Sequence, residues 1–380
     1  MSEDSSGDMN RTRVFMTGAF QSPAAPVEER EHYLVVVEGA RAGERIRLQS
    51  TPLRFGRALS CDFVVPDTEA SGQHCEISAV PSDVEALVTD LRSTNGCYVE
   101  GRRIEGAARL ASGALLQIGR HVFRHEWLFK GEAHKAQELG RDLEKARHYV
   151  QSLLPPPISS GPVLTDWVYE PSTQLGGDAF GYLDLGGGLL AAYLIDVSGH
   201  GVGAAMHSVS VMNVMRQRAL PSTDFSDPAQ VLASLNAMFQ MESHDGMYFS
   251  IWYGVYDTVS RSLVYASGGH HPAYLATPGT PTLAALKTRS LIIGATPAAR
   301  FSAARVEISP GARLYVFSDG VFEIVTRDGT QWALEDIIPL LQAQPEAGVT
   351  ESQRLYRKVR DAARPGPLDD DFSMVVVTFS

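Results

Sequence analysis

Four aspartate-bearing signatures stand far apart in the second half of the chain: Gly176-Gly177-Asp178, Asp196-Val197-Ser198-Gly199-His200-Gly201, Ser318-Asp319-Gly320 and Asp369-Asp370-Asp371. Each lies at or beside the end of an apolar, strand-like run. A fold that gathers these strand ends also gathers carboxylates, which repel one another unless a cation lies between them. Hard divalent ions such as Mg²⁺ and Mn²⁺ prefer oxygen ligands. A carboxylate shared by two such ions makes a two-metal site, where a bridging water becomes a nucleophile near neutral pH. The constraint therefore points to metal-dependent hydrolysis of a phosphate ester.

The chain has 380 residues, enough for two or three domains. Residues 1–30 lack hydrophobic periodicity and carry Ser, Gly and Pro clusters, so a disordered tail is expected there. Thr12 and Thr17 in that tail are candidate intramolecular phospho-ligands. Residues 31–129 change to short apolar runs separated by turns, such as Tyr33-Leu34-Val35-Val36-Val37 and the alternating Arg45-Ile46-Arg47-Leu48. Many short strands of this kind predict an all-β sandwich.

Residues 130–157 read as a helical linker. Ala136, Leu139, Leu143, Ala146, Val150 and Leu153 alternate steps of three and four, and Pro155-Pro156-Pro157 stops the pattern. The seam fits either an amphipathic helix lying on a domain or a coiled coil pairing two chains. Residues 158–380 mix strands with helices at 202–218, 228–240, 334–342 and 350–362. Asp227-Pro228 supplies a cap and a first-turn proline for the second of these. Two packed sheets flanked by helices are expected.

A formal charge of −11 argues against nucleic acid or an anionic membrane as the main partner, since both need a basic face. The apolar stretch 189–195 is too short to span a membrane, and the Ser-, Asp- and Glu-rich start has no apolar signal core. Cys61, Cys75 and Cys97 have no metal-ligand spacing and read as buried thiols in a reducing cytoplasm. No Cys-x5-Arg loop is present, so a cysteine nucleophile is not expected.

From about residue 150 onward the chain resembles the metal-dependent protein phosphatases of the protein phosphatase 2C superfamily, in its SpoIIE-like branch. The resemblance rests on the order and spacing of Gln151-Ser152-Leu153-Leu154-Pro155, Gly177-Asp178, Asp196-Val197-Ser198-Gly199-His200-Gly201, Ala266-Ser267-Gly268-Gly269-His270-His271-Pro272, Ser318-Asp319-Gly320-Val321 and Asp370-Asp371-Phe372-Ser373. It implies a four-layer α/β/β/α sandwich holding two Mn²⁺ or Mg²⁺ ions. Asp196 would bridge both ions. Asp319 and Asp370 would complete one site; Asp178 and the Val197 carbonyl would serve the other. Asp371 would have a supporting role. His200, His270 and His271 are expected to stabilise loops near the cleft. The family often has Asp where Gly181 stands, which bears on a second or third metal position.

Residues 33–128 resemble a forkhead-associated (FHA) domain. The match lies in Phe55-Gly56-Arg57, Ser71-Gly72-Gln73-His74, Ser93-Thr94-Asn95-Gly96, Gly101 and Leu116-Gln117-Ile118-Gly119. The resemblance implies phosphothreonine recognition, with Arg57 and Ser71 on the phosphate and Thr94 and Asn95 orienting loop and peptide. Arginine suits this because its planar fork makes charge-assisted bonds to phosphate. Gly72 stands where the family usually has arginine, and His74 is expected to brace the loops.

Reader, helix and phosphatase in that order imply a cytoplasmic signalling enzyme. Its expected substrate is a phosphorylated regulatory protein, typically in this branch an anti-sigma-factor antagonist. A kinase or phosphothreonine protein would dock on the reader, and the linker and the 202–218 and 228–240 helices would pair two chains. The competing readings are an inactive phosphatase-like scaffold and a hydrolase of small phosphoesters.

Overall fold

The computed structural model describes residues 30–39, 41–80, 83–364 and 366–380. The expectation of a disordered tail, with Thr12 and Thr17, falls outside these residues. The N-terminal part is built from β1 (Arg30–Glu38), β2 (Arg45–Leu48), β3 (Leu53–Gly56), β4 (Phe63–Val64), β5 (Cys75–Ala79), β6 (Ala86–Asp90), β7 (Cys97–Val99), β8 (Arg102–Arg103), β9 (Ala107–Leu110), β10 (Leu115–Ile118) and β11 (His121–Phe129). They form a six-stranded sheet in the order β2-β1-β11-β10-β7-β8 and a five-stranded sheet in the order β4-β3-β5-β6-β9. Alternation decides which side chains meet between the sheets: Leu34, Val36, Leu116 and Phe123 of one sheet share a core with Phe55, Ile77 and Val88 of the other. Phe55, Phe63 and Phe123 pack ring to ring at 5.3–5.7 Å. Each such buried aromatic is worth about 1.5–3 kcal/mol.

The helix α1 (Lys130–Leu153) follows without a break, and the prolines from 155 onward end it. Its seam is divided. Leu143, Ala146 and Val150 pack with Leu175, Ala205 and Val209 of the C-terminal part, whereas Leu139 is 61% exposed.

The C-terminal part runs β12 (Val163–Glu170), β13 (Ala179–Gly186), β14 (Leu189–Val197), α2 (Val202–Arg216), α3 (Pro228–Met238), β15 (Phe249–Asp257), β16 (Ser262–Gly268), β17 (Ala273–Ala276), β18 (Ala284–Leu286), β19 (Ala304–Glu307), β20 (Arg313–Phe317), α4 (Leu334–Gln342), α5 (Glu351–Ala362) and β21 (Phe372–Phe379). One sheet has the order β12-β21-β20-β17-β18, the other β13-β14-β15-β16-β19. Side chains from both, including Phe180, Leu194, Trp252, Leu314 and Val375, form one core. A second core joins β14 and β15 to α2 and α3 through Ile195, Val211, Leu232 and Ile251. A third joins β20 and β21 to α4 and α5 through Phe317, Ile337, Leu355 and Val376. Among the described residues no helix is long and apolar enough to cross a membrane.

Candidate active site

The strand ends meet where the sequence places its aspartates. β20 and β21 are paired neighbours, with Phe317 opposite Met374, so the turn after β20 and the turn before β21 lie side by side. Ser318 ties them: its N–H donates to the Ser373 carbonyl (3.0 Å), its hydroxyl to the Asp371 carbonyl (2.8 Å), and it accepts from the Ser373 N–H (3.0 Å). A Cβ at Gly320 would sit 2.3 Å from the Asp371 carbonyl oxygen, so only glycine lets Asp319 come this close to Asp370. Asp196 arrives from the other sheet, one residue before the end of β14, and Asp178 precedes β13, which pairs with β14.

The four carboxylates feel one another strongly. Burial, then Asp196 and Asp371, pushes Asp178 well above the usual carboxylate range. Asp196 is pushed up by burial, then by Asp319, Asp370, Asp371 and Glu323. Asp319 rises to about 6 through burial, Asp370 and Glu323. Asp370 is raised by burial, with the charges of Asp371 and Glu323 adding to it and His200 opposing. No lysine or arginine stands among the strongest influences on any of the four. Asp178 Oδ2 is buried with no hydrogen-bond partner among the described residues. An oxygen-rich carboxylate cluster with an orphaned oxygen fits a hard divalent cation.

The carboxylates are gathered but not closed into a coordination shell. Among the described residues the one trio of ligand atoms drawn within 4.8 Å is His74, Asp90 and Cys97, in the other sheet system. Those groups are already engaged. His74 Nδ1 accepts the Ser71 N–H (3.0 Å) and its Nε2 lies 3.1 Å from the Gly96 carbonyl. Asp90 accepts from the Ser93 N–H, the Ser93 hydroxyl and the Cys97 N–H.

The neighbouring residues divide by role. Asp371 faces inward and accepts the Gly177 N–H (2.6 Å), the Ser172 N–H (2.8 Å) and the Ser172 hydroxyl (2.9 Å). Asp369 pairs with Arg364 at the surface. His270 is buried and His271 half-buried, and each places Nδ1 by a backbone carbonyl, at 2.9 and 3.0 Å. Burial lowers both, His271 to about 4, which favours the neutral imidazole. His200 is exposed, within electrostatic range of Asp370. At Gly181 a Cβ would lie 2.4 Å from the Tyr193 hydroxyl, so the aspartate common at this position has no room here.

Glu323 is the residue sequence reasoning missed. Its N–H donates to the Asp319 carbonyl (2.8 Å), which closes one turn and puts its charge beside Asp196, Asp319 and Asp370. The four-residue spacing from Asp319 was the available signal.

The sandwich gathers a second set. Arg57 N–H donates to the Ser71 carbonyl (2.9 Å), and its side chain lies exposed by the Ala70 carbonyl (3.3 Å). The Ser71 hydroxyl accepts the Thr94 N–H (3.0 Å), and Asn95 Nδ2 donates to the Glu69 carbonyl (2.8 Å). The loops carrying Arg57, Ser71, Thr94 and Asn95 thus form one face, with His74 bracing it from beneath. Gly72 is exposed on that face.

Comparisons with known proteins divide the chain the same way. The family model described as Stage II sporulation protein E (SpoIIE) matches residues 186–380, and the FHA domain model matches residues 53–119. Phosphoserine phosphatase RsbU of Bacillus subtilis is 26% identical over 247 residues, covering 63% of this chain and 71% of the relative. FHA domain-containing protein FhaB of Mycolicibacterium smegmatis is 38% identical over 107 residues, covering 27% of this chain and 68% of the relative. Among solved structures, the SiaA-PP2C domain of Pseudomonas aeruginosa aligns with a TM-score of 0.56 at 18% identity, over 65% of this chain and 100% of that domain. At that identity the likeness concerns the fold.

Proposed function

The chain belongs to the SpoIIE family and carries an FHA domain, and from that premise we propose that it is a metal-dependent phosphatase of phosphoserine or phosphothreonine on a regulatory protein. The observation that carries this reading is the carboxylate cluster of Asp178, Asp196, Asp319 and Asp370 at converging strand ends. Asp178, Asp196, Asp319 and Asp370, with the Val197 carbonyl, would hold the metal ions. Two Mn²⁺ or Mg²⁺ ions held there would supply an activated water and neutralise the phosphoryl oxygens. The protein's own part is positional. Asp371 fixes the Gly177-Asp178 loop, Ser318 fixes Asp319 against Asp370, and the neutral imidazoles of His270 and His271 support the floor. We read the sheets and helices as the α/β/β/α four-layer arrangement of the family.

The substrate class follows the relatives named phosphoserine phosphatases, and the substrate expected from the resemblance is an anti-sigma-factor antagonist. The sandwich docks a phosphothreonine protein through Arg57, Ser71, Thr94 and Asn95, which raises the local concentration of substrate or kinase. The protein works in the cytoplasm as a homodimer, paired through the exposed upper seam of α1 at Leu139 and the exposed Val202 and Met206 of α2.

Phosphate release from a phosphoserine protein and from a small phosphoester, with Mn²⁺, Mg²⁺ or chelator, tests the reading. Turnover of the phosphoprotein that needs metal and vanishes in Asp319→Asn is expected. Turnover of the small ester alone would overturn the protein substrate. A folded chain without metal binding would overturn the enzyme. Sedimentation of wild type against Leu139→Glu reads the dimer.

A further inference from the structure

We infer that the N-terminal sandwich acts on the phosphatase through a latch at Glu38 and Arg360, which grips the segment leading to Asp370. The inference rests on the reading of Asp370 as a metal ligand. Glu38 ends β1 of the sandwich and Arg360 lies in the last turn of α5; their side chains pair with only 24% and 19% exposure. The Gly366 N–H faces the same carboxylate. Leu115 of the sandwich packs beside Gly366, its Cδ1 3.9 Å from where a Cβ would stand. Arg120 of the sandwich carries its charge toward Asp361. Arg360, Asp361 and Gly366 are therefore each approached from the sandwich, and Asp370 and Asp371 follow within a few residues of Gly366.

The linker reaches the same place. Arg147 of α1 pairs with Glu170 at the end of β12 (3.1 Å), and Glu170 lies in the field of Arg360. Two residues later, Ser172 binds Asp371 through both N–H and hydroxyl. The recognition face is connected as well: Asn95 holds the Glu69 carbonyl, and the Glu69 carboxylate holds Arg120 (3.0 Å). A phosphate ligand that moves Asn95 thus acts on a residue that contacts Arg120, whose charge lies within electrostatic range of Asp361 on α5.

A buried ion pair contributes little net stability, but reversing one partner sets two like charges against each other in a half-buried place, so such a pair selects one geometry. Latched, the 360–371 segment is ordered before metal arrives. Unlatched, metal binding must also order it, and affinity falls.

Hydrogen exchange of the metal-free full chain and Mn²⁺ titration calorimetry test this with Arg360→Glu, with Glu38→Arg and with the two combined. Each single reversal is expected to speed exchange across 360–371 and to weaken Mn²⁺ binding about ten-fold. The swapped pair is expected to restore both. Unchanged exchange in both single reversals, or a folded swapped pair without restoration, overturns the latch. A wild type that binds no Mn²⁺ overturns the metal reading of Asp370 instead, and exchange alone then decides the latch.

Discussion

Asp371 accepts the backbone N–H of Gly177 at 2.6 Å, across 194 residues of sequence. The same carboxylate takes the N–H and hydroxyl of Ser172, so one buried side chain satisfies three donors. Asp371→Ala leaves all three without an acceptor in a closed site. A loss of about 2–4 kcal/mol in urea unfolding is expected, because an orphaned donor costs about 1–3 kcal/mol. Asp371→Asn keeps one acceptor oxygen and should lose less. Unchanged unfolding in the alanine variant would remove Asp371 from its bracing role.

Glu323 extends the anionic cluster by one charge on the side of Asp319. A cation there is attracted by every nearby carboxylate, whether or not it is a direct ligand. Glu323→Gln should weaken Mn²⁺ binding roughly five-fold while leaving the fold intact, by the usual scale of a screened neighbouring charge. Calorimetry checks this, with Glu335→Gln on α4 as the control for a general charge effect. Equal effects in the two variants would assign Glu323 no local role.

Burial at the latch raises the Glu38 carboxyl to about 7; Glu170 pushes the same way, and Arg360 and the Gly366 N–H oppose. Tyr356 and, through Glu170, Arg147 are the other titratable or charged groups facing it. A carboxyl raised in the docked state favours docking below its free value. That contribution is complete below about pH 4.5 and is lost as pH rises through about 7. Exchange of residues 360–371, corrected for intrinsic rates, should therefore be slower at pH 5.5 than at pH 8. Glu38→Gln mimics the protonated form and should flatten the profile. A profile of the same slope in Glu38→Gln would assign the pH dependence elsewhere.

The legible parts of this molecule were local. Asp227-Pro228 announces α3, and Asp227 Oδ1 does accept the N–H groups of Ala229 and Gln230 at 3.0 and 3.3 Å. The aspartate signatures were readable because each pairs a ligand-type side chain with a glycine that permits close approach, as Gly320 does. β12 and β13 escaped notice because Asp166, Gly181 and Asp184 interrupt their apolar pattern; pairing with β21 and β14 decides them. The α1 seam was visible, but its covering was not. Periodicity identifies an apolar face without naming what lies on it, and Leu175, Ala205 and Val209 cover its lower half. Glu38 and Arg360 lie 322 residues apart, a separation over which no local pattern speaks.

Gly72 is the clearest test of the sandwich as a phosphate reader. It lies exposed beside Ser71, and a Cβ there would meet nothing nearer than the Ala58 Cβ at 3.9 Å. Its backbone shows no strained conformation, so a side chain fits without cost to the loop. An arginine placed here adds a charged donor to a face that already presents Arg57. Hydrogen bonds to charged groups contribute about 1.5–3 kcal/mol, so Gly72→Arg should tighten a phosphothreonine peptide at least ten-fold. Arg57→Ala should weaken the same peptide by a similar factor, and the unphosphorylated peptide should respond to neither change. Fluorescence anisotropy measures all three. If the phosphorylated peptide were indifferent to both substitutions, the loops around Ser71 would be a docking surface of another kind, and the link from Asn95 through Glu69 to Arg120 would answer to protein contact rather than to phosphate.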